Sequence, residues 1–169
     1  YIAHFLRSQG EGHRLAAVGH RVVHGGLQFT GSTLVTSGVI EALDKLTPLA
    51  PLHQPHNLAP IRSLAQARPD VPQVACFDTA FHRSQPALAQ AFALPPDITD
   101  RGVRRYGFHG LSYEYQSLVL EQRFGPVARG KVIVAHLGSG ASLCAMENLQ
   151  RVGTTMGFSA LDGLMMGTR

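Results

Sequence analysis

Lys131-Val132-Ile133-Val134-Ala135-His136-Leu137-Gly138-Ser139-Gly140-Ala141-Ser142 is the stretch around which the whole chain reads. An apolar, β-branched run climbs to a Gly-x-Gly turn. A second strand-like run, Ala141-Ser142-Leu143-Cys144-Ala145-Met146, follows it and ends at the polar turn Glu147-Asn148-Leu149-Gln150. The pattern predicts a β-hairpin with a glycine tip. Glycines there permit positive φ and remove the Cβ atoms that would keep a large anion from backbone N–H groups. A phosphate cradle and a plain tight turn are the two readings of such a tip, and the surrounding residues decide between them.

On the C-terminal side, residues 151–155 are expected to close an antiparallel meander. Ser159-Ala160-Leu161-Asp162 then has the spacing of a capping box, which predicts a helix or turn start. On the N-terminal side, Ser112 is expected to cap a helix that buries Tyr115, Leu118 and Val119 and ends near Gly125. Before it stands a compact basic and aromatic segment between glycines, Arg104-Arg105-Tyr106-Gly107-Phe108-His109-Gly110. Residues 83–103, with prolines at 86, 95 and 96, read as irregular connections with short helical pieces.

Further upstream, residues 71–77 predict a buried strand that delivers Asp78 at its end. That is where α/β folds place their chemistry, although a carboxylate at such a point also serves as a turn former or helix cap. A helix capped by Asn57 is expected to run to about Arg68, with Leu58, Ile61, Leu64 and Ala65 on its core face and Pro60 in its first turn. Residues 47–55 form a proline-punctuated loop, and residues 38–46 a short helix capped by Ser37. Residues 15–24 read as a buried strand ending at Gly25-Gly26, and residues 1–10 as the end of a helix. Within that strand Arg21 is one charge in an apolar run. It needs an anion, either a buried carboxylate or a substrate. Strands and helices together, with one antiparallel hairpin, predict an α/β fold with a mixed sheet.

Composition bounds the partners. A chain of 169 residues, 44% hydrophobic and only 15% charged, can bury a core, and its net charge of +4 suits an anionic substrate. It has no basic run with interleaved aromatics, which argues against nucleic acid, and no apolar run approaching the ~20 residues of a membrane span. Its two cysteines lie in apolar runs without a Cys-x-x-Cys pair, and no signal-peptide pattern opens the chain, so a cytoplasmic location is expected. The nine histidines are dispersed. His20 and His24 would share a strand face, but a structural zinc site needs four ligands, and no such set is spaced for one.

Six segments, in order, carry a specific likeness. They are Gly19-His20-Arg21-Val22-Val23-His24-Gly25-Gly26, Leu49-Ala50-Pro51-Leu52-His53, Phe77-Asp78-Thr79-Ala80-Phe81-His82, Arg105-Tyr106-Gly107-Phe108-His109-Gly110, His136-Leu137-Gly138, and Thr155-Met156-Gly157-Phe158 with Gly163-Leu164-Met165-Met166-Gly167-Thr168-Arg169. Together they resemble the acetate kinase family. The resemblance implies the actin-like ATPase fold, with two ribonuclease-H-like lobes, and this chain as a central piece of it. Residues 1–78 would then end the first lobe and residues 79–169 begin the second. It also implies reversible transfer of phosphate from ATP to acetate with Mg²⁺, by a soluble homodimer whose metal ligands lie outside this chain.

By the same resemblance, Asp78, His109 and Arg169 would be catalytic. Arg21, Val23, Leu52, His53, Phe108 and Ala160 would bind the acid. His136, Leu137, Gly138, Ser139 and Gly140 would approach the nucleotide. Three segments depart from the family pattern: Ala160 stands where proline is usual, Ser139 where asparagine is common, and Leu111-Ser112-Tyr113 where Thr-Ser-His usually follows Phe-His-Gly. The smaller Ala160 makes propionate a rival substrate, since one methylene is worth only about 1–3 kcal/mol of discrimination. A non-catalytic, nucleotide-binding paralogue is the other alternative.

Overall fold

The computed structural model describes residues 14–167. The helix expected over residues 1–10, and Arg169, lie outside them. The first half is a three-stranded sheet of β1 (Val18–Val22), β2 (Thr33–Leu34) and β3 (Gln73–Phe77), in the order β1-β3-β2. β1 runs parallel to β3, and β2 antiparallel to it. The crossover from β1 carries helices α1 (Ser37–Asp44) and α2 (Gln54–Ala67). Val22, Phe29, Leu43, Leu58, Ile61, Ala75 and Phe77 form the core between sheet and helices. Phe29 stacks on Phe77 with ring centroids 5.2 Å apart.

The second half begins with two short helices, α3 (Ala87–Gln90) and α4 (Pro96–Asp100), and then α5 (Gly110–Phe124). An antiparallel meander of β4 (Lys131–Leu137), β5 (Ala141–Glu147) and β6 (Gln150–Thr154) follows. Helix α5 lays Tyr113 against Cys144 and Met146, with Phe81, Val132 and Val134 around them. The expected hairpin is present, and His136 sits directly across from Ser142 in its register. The α/β expectation is met: the first sheet is mixed and the second antiparallel.

Local details differ from expectation, each for a physical reason. β1 is an edge strand, so it is only half buried, and Gly19 and Arg21 face out. Thr36, not Ser37, caps α1, its hydroxyl accepting from the Val39 N–H at 3.3 Å. The proline-rich loop contains a 3-10 turn over Thr47–Leu49, and α2 starts at Gln54, which places Pro60 inside the helix. Asn57, no longer at the cap, makes a tertiary bond instead. Its Oδ1 accepts from the Val23 N–H at 2.9 Å and ties α2 to the end of β1. Helix α5 buries Tyr113, whereas Tyr115 and Leu118 are exposed. Ser159 and Asp162 do bond each other, Oγ to Oδ1 at 3.1 Å and N–H to Oδ2 at 3.3 Å, but they close a turn rather than open a helix.

Candidate active site

Close packing joins the two halves where the sequence places its glycines and histidines. β3 ends at Phe77, and the segment after it holds Asp78, Thr79 and His82, all three buried. The His82 ring bonds the Phe108 carbonyl at 2.8 Å, and a carbonyl only accepts, so Nε2 carries the proton. Gly107, at φ +74°, lies flat on that ring, where a Cβ would come within 2.6 Å of the His82 Cγ. The Gly110 N–H donates to the Asp78 carbonyl at 2.9 Å, and a Cβ on Gly110 would collide with the same oxygen. The two motifs are therefore one interlocked joint. It carries the carboxylate of Asp78 on one side and His109, at the N-cap of α5, on the other.

Asp78 answers the question of what Arg21 pairs with. Arg21 Nε lies 3.0 and 3.2 Å from the two carboxylate oxygens, and Nη2 lies 2.7 Å from Oδ2. The Asp78 side chain is 2% exposed and that of Arg21 63%. A buried carboxylate thus holds a largely solvent-facing guanidinium by its Nε edge, and the bond to Asp78 raises the Arg21 pKa against the opposing effect of burial. The Asp78 carboxylate supplies an anion for Arg21.

His109 is organised differently. Its backbone is left-handed, φ 58°, a conformation uncommon for any residue but glycine and one that often accompanies functional sites. Its ring stacks on His136 with centroids 4.1 Å apart. Nδ1 lies 2.8 Å from the Ser142 hydroxyl, and the Tyr113 phenol lies 2.5 Å from the same hydroxyl. His136 Nδ1 in turn bonds Ser112 Oγ at 3.0 Å. Ser112 therefore positions His136 instead of capping a helix. Burial, then the neighbouring His136, lowers the His109 pKa to about 4, so the ring is neutral at pH 7.

The glycine tip works by close approach and not by unusual torsions, since neither Gly138 nor Gly140 has positive φ. A Cβ on Gly140 would stand 3.1 Å from His109 Nε2, so the missing side chain makes room for that ring. Ser139 and Gly138 are exposed at the tip, and Leu137 projects into solvent. Val23, Phe108 and Ala160 meet in one apolar cluster with Ala50, Tyr106, Met156 and Met166. Leu52 and His53 do not join them: both are exposed on the turn before α2. His20 bonds Gln73 Oε1 at 2.8 Å. His24 is fully buried and accepts from the Gly26 N–H at 2.9 Å, its pKa lowered to about 4 by burial. The two histidines take separate structural posts.

Ser142, Tyr113 and Gly110 did not stand out as site residues in the sequence. Two signals pointed to them: Tyr113 lies one helical turn beyond His109, and Ser142 is the cross-strand partner of His136 in a hairpin closed by a three-residue tip.

The chain is similar to proteins of known structure and to curated proteins. The propionate kinase from Francisella tularensis superposes with a TM-score of 0.93 at 40% identity, covering 99% of this chain and 44% of that one. The acetate kinase from Entamoeba histolytica superposes at 0.89 with 37% identity, covering 99% and 43%. The fold is thus the α/β fold of the acetate and propionate kinases, the actin-like ATPase class, of which this chain carries a part. An acetate kinase of Rhodopseudomonas palustris is 61% identical over 158 residues, 93% of this chain and 40% of that protein. The chain belongs to the acetokinase family, whose model matches residues 3–169. It spans about 40% of the length of the curated relatives it matches.

Proposed function

We propose that the complete protein is a carboxylate kinase that moves the terminal phosphoryl group of ATP, with Mg²⁺, reversibly onto acetate to give acetyl phosphate and ADP. The observation that carries this reading is the unbroken run of contacts from Arg21 through Asp78 and Gly110 to His109, His136 and Gly140. It sets a cation, a carboxylate and a neutral imidazole beside a glycine turn. A transferring phosphoryl group spreads negative charge over its oxygens, so catalysis is mainly positioning and electrostatic stabilisation.

In this reading the acetate oxygen attacks the phosphorus as the bond to ADP breaks. Arg21, steered by Asp78, grips the acid and the moving group, and Arg169, outside the described residues, does the same from the other end of the chain. Acetate is already ionised at neutral pH, so Asp78 orients Arg21 and no general base is needed. His109 donates through an N–H to the phosphoryl oxygens. His136 to Gly140 approach the nucleotide phosphates, and Val23, Phe108 and Ala160 enclose the methyl group, with Leu52 and His53 at the mouth. Residues 1–78 and 79–169 belong to two lobes meeting at this joint, and the working form is a cytoplasmic homodimer.

Among the described residues no group of three or more His, Cys, Asp or Glu is placed to hold a metal ion, and Arg21 engages both oxygens of Asp78. These residues do not fit a magnesium site by themselves. Also among the described residues, no helix is long and apolar enough to cross a membrane. A propionate-directed reading rests on one feature, Ala160, a small side chain packed against the apolar cluster that holds Val23 and Phe108.

Acyl-phosphate formation by the full-length protein with MgATP and acetate, propionate or butyrate in turn tests the proposal. Turnover with acetate or propionate, reduced ~100-fold or more in Arg21→Ala, is the expected outcome. A folded protein that binds nucleotide but phosphorylates none of the three acids would establish the non-catalytic reading instead.

A further inference from the structure

The Ser142 hydroxyl is fully buried between two polar neighbours, His109 Nδ1 at 2.8 Å and the Tyr113 phenol at 2.5 Å. Tyr113 is itself fully buried, in an apolar nest with Cys144 and Met146. Among the described residues, the hydrogen-bond partner of its phenol is Ser142 Oγ, which is the acceptor open to the phenol proton.

Proton counting then leaves one arrangement in which every buried donor is satisfied. The phenol donates to Ser142 Oγ, and Ser142 donates to His109 Nδ1. The reverse chain, from a His109 Nδ1–H through Ser142 to the phenol, would strand the phenol proton in an apolar core, where a donor without an acceptor has lost its hydration for nothing. Burial pushes the Tyr113 pKa up to about 12, so the phenol keeps the proton that starts the chain at any physiological pH.

We propose that Tyr113 and Ser142 are positioning residues that hold His109 as its Nε2–H tautomer, aiming an N–H donor at the glycine turn. Nε2 is the nitrogen that a Cβ on Gly140 would approach to 3.1 Å, so the donor edge faces the tip and the acceptor edge faces the relay. The value of the tautomer for catalysis rests on the kinase reading above; the relay itself does not. A neutral imidazole donates from one nitrogen only, and the wrong tautomer would present a lone pair to the anion.

The test is a long-range ¹H–¹⁵N spectrum of the full-length protein labelled at histidine, with His109→Asn identifying the His109 signals. Above pH 6 the native ring is expected to be at least tenfold in favour of Nε2–H. Tyr113→Phe and Ser142→Ala should each lower that ratio at least threefold, and Ser142→Thr, which keeps a hydroxyl, should restore it. Native His109 found mainly as Nδ1–H, or a ratio unmoved in Tyr113→Phe, overturns the proposal. Tyr113→Phe removes one oxygen from a packed ring, so it remains decisive if Ser142→Ala does not fold.

Activity supplies a separate readout. If the full-length protein makes acyl phosphate, Tyr113→Phe should lower kcat about tenfold with the KM for nucleotide changed less than threefold. The expected tautomer pattern in a protein that makes no acyl phosphate would sustain the relay and remove the kinase reading alone. Acyl-phosphate formation with an Nδ1–H ring would do the opposite.

Discussion

The two sides of the joint hold their functional groups by opposite means. On the side of β1 and β3, an ion pair does it: Asp78 is buried, and Arg21 reaches from it into solvent. On the side of α5 and β5, neutral groups do it: His109, Ser142 and Tyr113 are all buried, and burial keeps the imidazole uncharged. The difference follows from desolvation. A guanidinium left partly in water keeps its charge at little cost and can meet an anion directly, whereas a cation in the packed interior of α5 would need a partner of its own. The same site can thus offer a fixed charge and a directional neutral donor on the two sides of one joint.

Acid is the strongest way to break that contrast. His24 and His82, both essentially unexposed, are held near pKa 4 by burial, against 6.5 in an unfolded chain. Between those values the unfolded state takes up protons that the folded state refuses. Stability is therefore full above about pH 6.5, falls as the pH drops towards 4, and levels off below it. Each ring should cost about 3 kcal/mol across that window. Urea unfolding at pH 7.5, 5.5 and 4.5 measures the loss, and His82→Gln should flatten the curve by roughly a third, since His109 is held near pKa 4 as well.

Gly110→Ala comes next, because its Cβ would press on the Asp78 carbonyl that the Gly110 N–H bonds. We expect a loss of about 3 kcal/mol, seen in the urea midpoint. A loss under about 1 kcal/mol would show that the joint yields.

The ion pair itself predicts an asymmetry. Arg21→Ala leaves the Asp78 carboxylate buried without a partner and should cost about 1–2 kcal/mol, the usual penalty being discounted because the guanidinium is mostly solvated. Asp78→Asn leaves an exposed cation that water can serve, and should cost less than about 1 kcal/mol. Equal losses in a thermal melt would mean that the pair is not buried as described.

The smallest effect belongs to Gly140→Ala, which crowds His109 Nε2 at 3.1 Å without backbone strain. Stability should fall by about 1 kcal/mol, with a larger proportional loss in acyl-phosphate formation. An unchanged rate would separate the tip from the chemistry.

Much of this was readable along the chain, because local rules governed it. The apolar, β-branched run in residues 131–137 announced β4, the glycine tip announced the hairpin, and Asp78 fell just after the end of β3 as the strand pattern required. Local rules also misled where tertiary contacts competed for the same side chains. Ser112 and Asn57 look like helix caps, yet one hydroxyl serves His136 and one amide oxygen serves Val23. Tyr115 and Leu118 look like a core stripe, yet the face of α5 that packs on β5 is the one bearing Tyr113.

By itself the sequence determined the elements, the order of the motifs and the family, since these depend on side-chain periodicity and on short runs of residue types. Only the tertiary structure decided that Arg21's anion is Asp78, that His109 faces the glycine turn, and that Ser142 joins His109 to Tyr113. Those contacts link residues 57, 31, 33 and 29 positions apart. At such separations partners are chosen by burial and by the demand that every enclosed donor find an acceptor, and neither acts until the chain has folded.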